Sequence, residues 1–328
     1  MRDELALRRT AREQDDLLTR AQILAAGHTD EWIEAQLIAR RMLRVHRKVY
    51  LTTTGAPTER QRQRAALLCT GPTAALSHAT AAARHGLHVP GDGRIHVTVP
   101  YGSSAVDRHA VALHRSRAFP HLVVDTDDLP TVSRPDTCLD LAVAAADPRA
   151  AMRSMLHAAL GMKVSAQQLL VVMELRRPHR YRRPLLDAAR LLAEGVSSAL
   201  ESRYAVDVED AHGLPRARRQ AAVRVGGSTR YEDCEYDTPE GPFTVRLDGW
   251  RWHSDRRSAL IDRARDNAAE LEGRGRLTFG WEEVTGRPCA AASAVITSLR
   301  RRGVLLRDGT GTCECLSVPQ HGQALTRR

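Results

Sequence analysis

The chain has 328 residues, a hydrophobic content of 42% and a formal net charge of +10, which is enough for two or three domains with their own cores. No apolar run approaches the roughly 20 residues of a membrane span, and the charged N-terminus lacks the apolar region of a signal peptide. We therefore expect a cytoplasmic protein without a membrane partner. The positive charge favours partners that carry phosphate, although of the 49 basic residues only Lys48 and Lys163 are lysine. That arginine bias is typical of a GC-rich genome, so the choice of arginine over lysine adds little support for phosphate binding.

The six cysteines are scattered and include no Cys-x-x-Cys pair. In a chain of this length without a secretory signal, the pattern favours reduced thiols over a disulfide framework. Cys313 and Cys315 are too close in sequence for an ordinary disulfide, and a metal role for them is a less favoured alternative.

The first 60 residues predict a winged helix-turn-helix domain. Thr19 with Gln22 is a capping-box start, Gly27 stops that helix and a second helix begins at Thr29. Alternation over residues 44–51 predicts a strand, as part of a basic strand hairpin. In this geometry the second helix lies in the major groove and the basic flank contacts phosphates. The candidate DNA-binding residues are Arg40, Arg41, Arg44, Arg47 and Lys48. The alternative, from these residues alone, is a plain helical hairpin with a solvated charged edge.

A mixed α/β and helical domain follows. Alternation predicts a strand over residues 95–100, with further strands near 111–114 and 122–124, and residues 135–212 are mainly helical. The basic run 176–184 could contact phosphate, or it could be a solvated loop. The predicted domains are residues 1–60, 61–185 and 186–305, followed by a tail over 306–328.

The neighbouring residues Ser77 and His78 suggest a nucleophile and its base. No third, base-orienting group is identifiable, and neighbouring side chains on a helix diverge. We therefore expect Ser77 to cap a helix and His78 to be a polar packing residue.

The last domain has the predicted order α-β-β-β-α-β-α, with Glu201 on its first helix. Asp233 lies on one central strand and Asp248 ends the next, 15 positions later. Two such carboxylates can converge on a hard cation such as Mg²⁺, which would polarise a phosphodiester and activate water. His253 would then serve as general acid or base. The alternative is that both carboxylates are solvated at the edge of the hairpin.

Alternation also assigns faces to the two central strands. Phe243, Val245 and Leu247 are expected to point to the core, and Tyr231, Asp233 and Glu235 share one face of the preceding strand.

Five motifs of this domain occur in a specific order. They are Glu201-Ser202-Arg203, Tyr231-Glu232-Asp233, and the runs 247–253, 262–267 and 280–285. Residues 201–302 thereby resemble the actinobacterial relatives of the very-short-patch repair endonuclease, a branch of the restriction-endonuclease-like superfamily. The resemblance implies that fold, with Asp233 as the principal metal-binding carboxylate, His253 as the catalytic histidine and Glu201 as the helix acid near the site.

One position departs from that family. Many members have an acidic residue in the strand position that Arg246 occupies here, so the charge at this position is reversed. An arginine could take the cation's place electrostatically. The repair endonuclease itself looks tolerant of a non-acidic residue at this strand position. Loss of nuclease activity therefore does not follow automatically from Arg246.

A second resemblance covers residues 1–142. Short motifs occur in family order over residues 19–27, 45–51, 76–82, 95–100 and 129–142. They resemble the N-terminal half of AbiEi-type abortive-infection antitoxins, which implies a winged helix that binds DNA and a middle domain of unclear role. A cognate toxin or a second copy of the chain would then be possible partners.

These patterns together predict an α+β protein with an N-terminal winged helix-turn-helix, a mixed middle domain and a C-terminal restriction-endonuclease-like α/β core. The leading hypothesis is a transcription-regulator or antitoxin-like protein that binds double-stranded DNA and needs no cofactor. The rival is an active endonuclease that uses Mg²⁺ at Asp233 and Asp248. A third hypothesis is a scaffold that uses both folds for protein contacts.

Overall fold

The computed structural model describes residues 4–106, 110–122, 124–125, 128–178, 180–225, 228–248 and 275–312, and it is a mixed α+β protein. The chain forms two compact units. The first comprises residues 1–144, 161–164 and 168–180, and the second comprises 145–160, 165–167 and 181–328. None of the helices in the described ranges has the length and apolar character needed to cross a membrane.

The N-terminal part of the first unit has the order helix, strand, helix, helix, strand, strand. Its elements are α1 (Glu4–Glu13), β1 (Leu17–Thr19), α2 (Arg20–Ala25), α3 (Asp30–Ile38), β2 (Leu43–His46) and β3 (Val49–Leu51). The strands form an antiparallel sheet in the order β1-β3-β2. The predicted capping box is confirmed, because Thr19 and Gln22 bond each other's backbone amides at the start of α2. Gly27, at φ 86°, follows the end of that helix, and Thr29 caps α3.

Amphipathic spacing explains the core of this part. The buried side chains come from every helix and from the sheet, and they are Leu7, Ala11, Leu18, Ile23, Ile33, Met42 and Tyr50. The single strand predicted over residues 44–51 is instead two strands joined by a turn at Arg47 and Lys48, since His46 pairs with Val49. The core therefore fixes the hairpin against α1, α2 and α3, and leaves its basic turn exposed.

The rest of the first unit is built on a five-stranded mixed sheet in the order β6-β5-β4-β8-β7. Its elements are α4 (Glu59–Thr70), β4 (Ala75–Leu76), α5 (His78–Arg84), β5 (Ile95–Pro100), β6 (Val111–Ser116), β7 (Val124–Asp125), β8 (Thr131–Val132) and α6 (Arg134–Val143). The predicted strands at 95–100 and 111–114 are confirmed, whereas the strand predicted near 122–124 overlaps β7 only at Val124. Strands β5 and β6 are parallel, and α4 packs on them through Ala66 and Leu67.

Helices dominate the next stretch, as the sequence predicts. They are α7 (Pro148–Met162), α8 (Ala166–Arg176), α9 (Arg182–Ala193) and α10 (Ala199–Arg203), followed by a π-helix over Tyr204–Glu209 and a 3-10 turn over Asp210–His212. The sheet of the second unit then consists of β9 (Arg218–Val225), β10 (Ser228–Tyr236), β11 (Phe243–Asp248) and β12 (Gly275–Gly280). The last helices are α11 (Trp281–Gly286) and α12 (Pro288–Arg301).

Strand order in this second sheet is β12-β11-β10-β9. The pairs β9–β10 and β10–β11 are antiparallel, whereas β11 and β12 are parallel. A parallel pair needs a crossover connection. That connection is residues 249–274, which contain the predicted helix and lie outside the described residues.

Alternation along β11 is confirmed by burial. Phe243 and Val245 are buried in one core with Cys234 and Tyr236 of β10, and Leu247 packs against it. Residues of opposite parity face the other way, and Asp248 is exposed at the strand end. Asp233 and Asp248, the predicted metal-binding carboxylates, therefore lie on the face of the sheet opposite the core.

Candidate functional sites

The five basic residues predicted to bind DNA are all exposed, and we call them the basic hairpin: Arg40, Arg41, Arg44, Arg47 and Lys48. They follow α3 and continue through β2 to the turn before β3. No acidic residue lies between positions 40 and 48. Arg40 has φ 54° and Lys48 has φ 65°, a backbone region that glycine and asparagine occupy more readily.

Helix α3 itself is acidic. Asp30, Glu31 and Glu34 are exposed on it, and the helix contains no basic residue. Arg20 binds Asp30 with Nε 2.7 Å from Oδ1, and Arg44 Nη2 lies 3.6 Å from Glu34 Oε2. The cationic surface therefore lies at the end of α3 and on the hairpin, and not along the helix that the sequence interpretation places in the major groove.

The two aspartates predicted to bind Mg²⁺ already have protein partners. Asp233 Oδ2 accepts a hydrogen bond of 2.8 Å from the Leu247 amide on the neighbouring strand. Asp248 Oδ1 lies 2.9 Å from Arg246 Nε, so the two side chains form an ion pair.

Glu201 is buried at the start of α10, where Ser198 caps the helix. Its carboxylate accepts hydrogen bonds from the Ser197 amide at 3.0 Å and from Gln220 Nε2 at 3.3 Å. These hydrogen bonds give Glu201 a structural role at the start of the helix. The remaining predicted catalytic residue, His253, lies outside the described residues.

Mg²⁺ takes six oxygen ligands, and several of them are usually waters. Within the described parts of the chain, Asp233, Asp248 and Glu201 do not form a group of three ligand atoms that could hold a metal. One or two carboxylates together with waters can also hold Mg²⁺, so the catalytic roles of these residues stay predictions.

A different group of side chains does come together, and we call it the histidine cluster: His78, His96 and His114. One ring nitrogen from each lies within 4.8 Å of the other two, an arrangement that could hold a metal ion. His96 and His114 lie on the adjacent parallel strands β5 and β6, and His78 begins α5. The ring centroids of His78 and His114 are 3.6 Å apart, and those of His96 and His114 are 5.2 Å apart.

Hydrogen bonds fix the rings of the cluster. Nδ1 of His96 lies 3.0 Å from Nε2 of His114, and Nε2 of His96 lies 3.1 Å from a carboxylate oxygen of Asp92. Nδ1 of His78 lies 3.0 Å from the hydroxyl of Ser77, which accepts a further bond from Thr98. Each ring therefore has at least one defined polar neighbour.

A buried carboxylate lies beside His78. Asp140 Oδ1 accepts a 2.6 Å bond from Arg176, while Oδ2 is buried without a hydrogen-bond partner, 3.8 Å from His78 Nδ1. Burial raises the pKa of Asp140, and Arg176 acts in the opposite direction. Burial lowers the pKa of His78 to about 3, and the charges of His96 and Arg176 act in the same direction, so this imidazole is neutral at pH 7.

The expectation that Ser77 and His78 diverge is wrong. Ser77 is extended, with φ −146°, and His78 has φ 48°, so the two residues are not successive helical residues and their side chains meet. Ser77 occupies the N-cap position of α5 but makes no capping bond with its side chain. Ser77 is also fully buried, which removes it as a nucleophile for an external substrate.

Sequence reasoning missed the cluster because its members are distant in sequence and its geometry depends on strand register. Thr98 pairs with His114 across β5 and β6, so His96 and His114 are two residues out of register and share a face. The available signal was a histidine in each of two adjacent predicted strands.

Comparison of the chain with models of known protein families gives no match, and comparison with curated proteins gives none either. The two family resemblances therefore rest on the sequence motifs alone.

Proposed function

We propose that this chain binds double-stranded DNA through the basic hairpin, as a transcription-regulator or antitoxin-like protein that does not cut its target. The observation that carries the proposal is the exposure of five basic residues on an ordered hairpin that follows two short helices. The order helix, strand, helix, helix, strand, strand, with its three-stranded antiparallel sheet, supports the assignment of this part as a winged helix. Phosphate contacts from such a flank position a protein on the duplex.

The distribution of ion pairs supports the hairpin as the contact surface. Among the described residues, Arg44 is the one member of the basic hairpin in an ion pair, and its distance to Glu34 is 3.6 Å at an exposed site. Exposed pairs of this kind contribute little energy and exchange readily for other partners. The acidic charges of Asp30 and Glu31 on α3 disfavour deep insertion of that helix between phosphates, so the hairpin and the end of the helix make the first contacts.

The absence of cutting is proposed from Arg246. The order β9 to β12, with three antiparallel strands and a parallel fourth, supports a restriction-endonuclease-like core. Within that core, the ion pair of Arg246 with Asp248 supplies a positive charge where many members of the resembled family have a carboxylate. The domain would then contribute DNA affinity or protein contacts without phosphodiester hydrolysis.

A gel assay of the full chain with genomic and random duplexes tests the proposal. We expect a mobility shift that is stronger for a subset of genomic fragments, with intact DNA in Mg²⁺, Mn²⁺ or EDTA. The hairpin variant Arg44→Ala/Arg47→Ala/Lys48→Ala should weaken the shift, because it removes three of the five contacts. The loop control Arg177→Ala/Arg182→Ala/Arg183→Ala removes the same charge from exposed positions of the 176–184 run and should keep it.

Three outcomes would contradict the proposal. Equal loss in both variants would mean that net charge alone attracts the DNA. Metal-dependent cutting that disappears in Asp233→Ala would establish the nuclease instead. No affinity at physiological salt would favour the scaffold hypothesis.

A further inference from the structure

The histidine cluster brings three imidazoles from three separate elements to one point, in a part of the chain that the proposed DNA contact does not use. Imidazole nitrogen is a ligand for Zn²⁺, Cu²⁺, Fe²⁺ and Ni²⁺, whereas Mg²⁺ and Ca²⁺ take oxygen. The group contains no thiol and no carboxylate. Its donor set therefore selects a transition metal.

The spacing of the nitrogens fits one ion. Two ligands at the Zn–N distance of about 2.0–2.1 Å and a tetrahedral angle lie about 3.4 Å apart. The distance between His96 Nδ1 and His114 Nε2 is 3.0 Å, and the third nitrogen lies within 4.8 Å of both. These separations are comparable with the spacing of nitrogen ligands around one ion.

The surroundings of His96 match those of a metal ligand. A ligating histidine commonly donates its other ring N–H to a carboxylate, which fixes the tautomer and orients the ring. Asp92 Oδ1 lies 3.1 Å from His96 Nε2, so a proton on Nε2 leaves the lone pair on Nδ1, the atom that faces His114. Asp92 is thus a positioning residue for this ligand.

The surroundings of His78 supply a second, independent observation. Its Nδ1 faces the Ser77 hydroxyl and the unpartnered, buried oxygen of Asp140. A proton on Nδ1 is favoured by that carboxylate and leaves the lone pair on Nε2. Burying a carboxylate oxygen beside the His78 ring is costly, and a cation bound to the three rings offsets that cost.

We propose that His78, His96 and His114 bind one divalent transition-metal ion, and we take Zn²⁺ as the ion to test. Three protein ligands leave a fourth position open for water or a small anion, as in zinc sites that exchange a ligand. The side chains of His78 and His96 are 14% and 15% exposed, so the site is accessible to solvent.

Cobalt substitution and zinc titration of the full chain test this. The protein is purified without a histidine tag, stripped with chelator, and titrated with Co²⁺ and Zn²⁺ while visible absorption and bound metal are measured. We expect one ion per chain and Co²⁺ bands of a four- or five-coordinate nitrogen site. Thiolate-to-metal charge transfer, or loss of binding in Cys313→Ser/Cys315→Ser, would assign the metal to the tail and overturn the proposal.

Variants separate ligands from bystanders. His96→Ala and His114→Gln should weaken Zn²⁺ by more than about 100-fold, and Asp92→Asn by about 10- to 100-fold. His88→Ala, an exposed histidine of the same unit, should bind as the unchanged chain does. Because Asp92→Asn leaves all three imidazoles in place, it tests for the loss of Zn²⁺ affinity even if a histidine variant fails to fold.

The wild-type titration decides the outcome even if every variant is unstable. Sub-stoichiometric binding, binding unchanged in Asp92→Asn and His96→Ala, or equal loss in His88→Ala would overturn the proposal. The cluster would then be a hydrogen-bonded stack of histidines that stabilises β5, β6 and α5. DNA affinity plays no part in these measurements, so the two proposals fail independently.

Discussion

Two members of the basic hairpin occupy backbone conformations that disfavour their side chains. Arg40 and Lys48 both have positive φ, where residues with a Cβ are about 1–2 kcal/mol less stable than in the right-handed region. Lys48 lies in the turn between β2 and β3, a position at which glycine is the usual residue. A charged side chain that is kept at a strained position suggests that its charge has a function, because glycine there would give a more stable fold.

Lys48→Gly should therefore stabilise the fold and weaken DNA binding. Glycine removes the left-handed strain, and we expect a gain of about 1 kcal/mol in the free energy of unfolding. Loss of one phosphate contact should lower the salt slope of binding by about 1. Arg47→Gly is the matched control, because it removes the same charge from the adjacent turn residue, whose φ is not positive.

The control should weaken DNA binding similarly and lower stability by about 0.5–1 kcal/mol, since glycine there only adds unfolded-state entropy. Urea unfolding and fluorescence anisotropy measure the two quantities. A Lys48→Gly variant that is less stable than the unchanged chain would show that the turn is not strained.

At the scale of elements, Asp15 links helix α4 to the segment before β1 through hydrogen bonds and ion pairs. Asp15 Oδ1 accepts a 2.7 Å bond from Arg60 and Oδ2 a 2.9 Å bond from Arg64, while its carbonyl accepts from Gln61. Burial raises the pKa of Asp15, but the hydrogen bonds and charges of the two arginines outweigh it and leave the pKa below its ordinary value.

Asp15→Asn should destabilise the first unit by about 1–3 kcal/mol at pH 7, the range for hydrogen bonds to a charged group. Asparagine tolerates the φ of 56° at this position, so the change removes charge without backbone strain. Because the folded pKa is lowered, the carboxylate's contribution is present above its unfolded value of about 3.9 and is lost as pH falls through the folded pKa.

Urea unfolding of the two proteins should therefore converge as pH falls below about 4. Asp16→Asn is the control: Asp16 also has positive φ, 64°, and is adjacent in sequence. A pH-independent difference, or an equal effect of the control, would exclude the ion pairs as the cause.

In the second unit, a buried ion pair joins the π-helix to the sheet. Arg219 Nη2 of β9 binds Glu209 Oε2, and Glu209 Oε1 accepts bonds from Tyr236 at 2.7 Å and from the Ala217 amide at 3.1 Å. Both charged side chains are 1% exposed. Burial raises the pKa of Glu209 and Arg219 opposes it, so the pair is stable only while both partners are present.

Glu209→Gln should cost about 3–5 kcal/mol, because it leaves the Arg219 guanidinium buried without its counter-charge. Glu240→Gln, at an exposed position of the same unit, should change stability by less than about 0.5 kcal/mol. Thermal unfolding followed by circular dichroism compares them. Equal midpoints would mean that water or another group compensates the charge.

Local patterns account for the elements that the sequence predicts correctly. The capping box of Thr19 and Gln22, the alternation of residues 95–100 and the core face of β11 each depend on neighbours within a few positions. The histidine cluster depends instead on the register of two parallel strands and on the positive φ of His78. Neither follows from local propensity, because tertiary packing determines both.

The pairing of Arg246 with Asp248 is a second feature that the sequence alone could not predict. The sequence shows that the charge is reversed at position 246, and alternation places it on the face opposite the core. Only the structure shows that the guanidinium reaches Asp248 and that the Leu247 amide reaches Asp233. The residue types of a site can thus be predicted while their pairing cannot.

At the scale of the whole molecule, the net charge of +10 offers a diffuse alternative to the basic hairpin. Diffuse attraction and five localised contacts differ in salt dependence, since the logarithm of affinity falls with the logarithm of salt with a slope of about −0.9 per phosphate neutralised. Five contacts predict a slope of about −4.5, which is a loss of about 500-fold between 50 and 200 mM salt.

The hairpin variant should retain two contacts, a slope of about −1.8 and a loss of about tenfold over the same range. The loop control has the same net charge as the hairpin variant, so diffuse attraction requires that the two variants have equal slopes. Localised binding requires that the loop control keep the slope of the unchanged chain. Fluorescence anisotropy of a labelled duplex at five salt concentrations measures all three slopes. A steep slope shared by both variants would assign the affinity to the molecule's overall charge, and the basic hairpin would lose its proposed role.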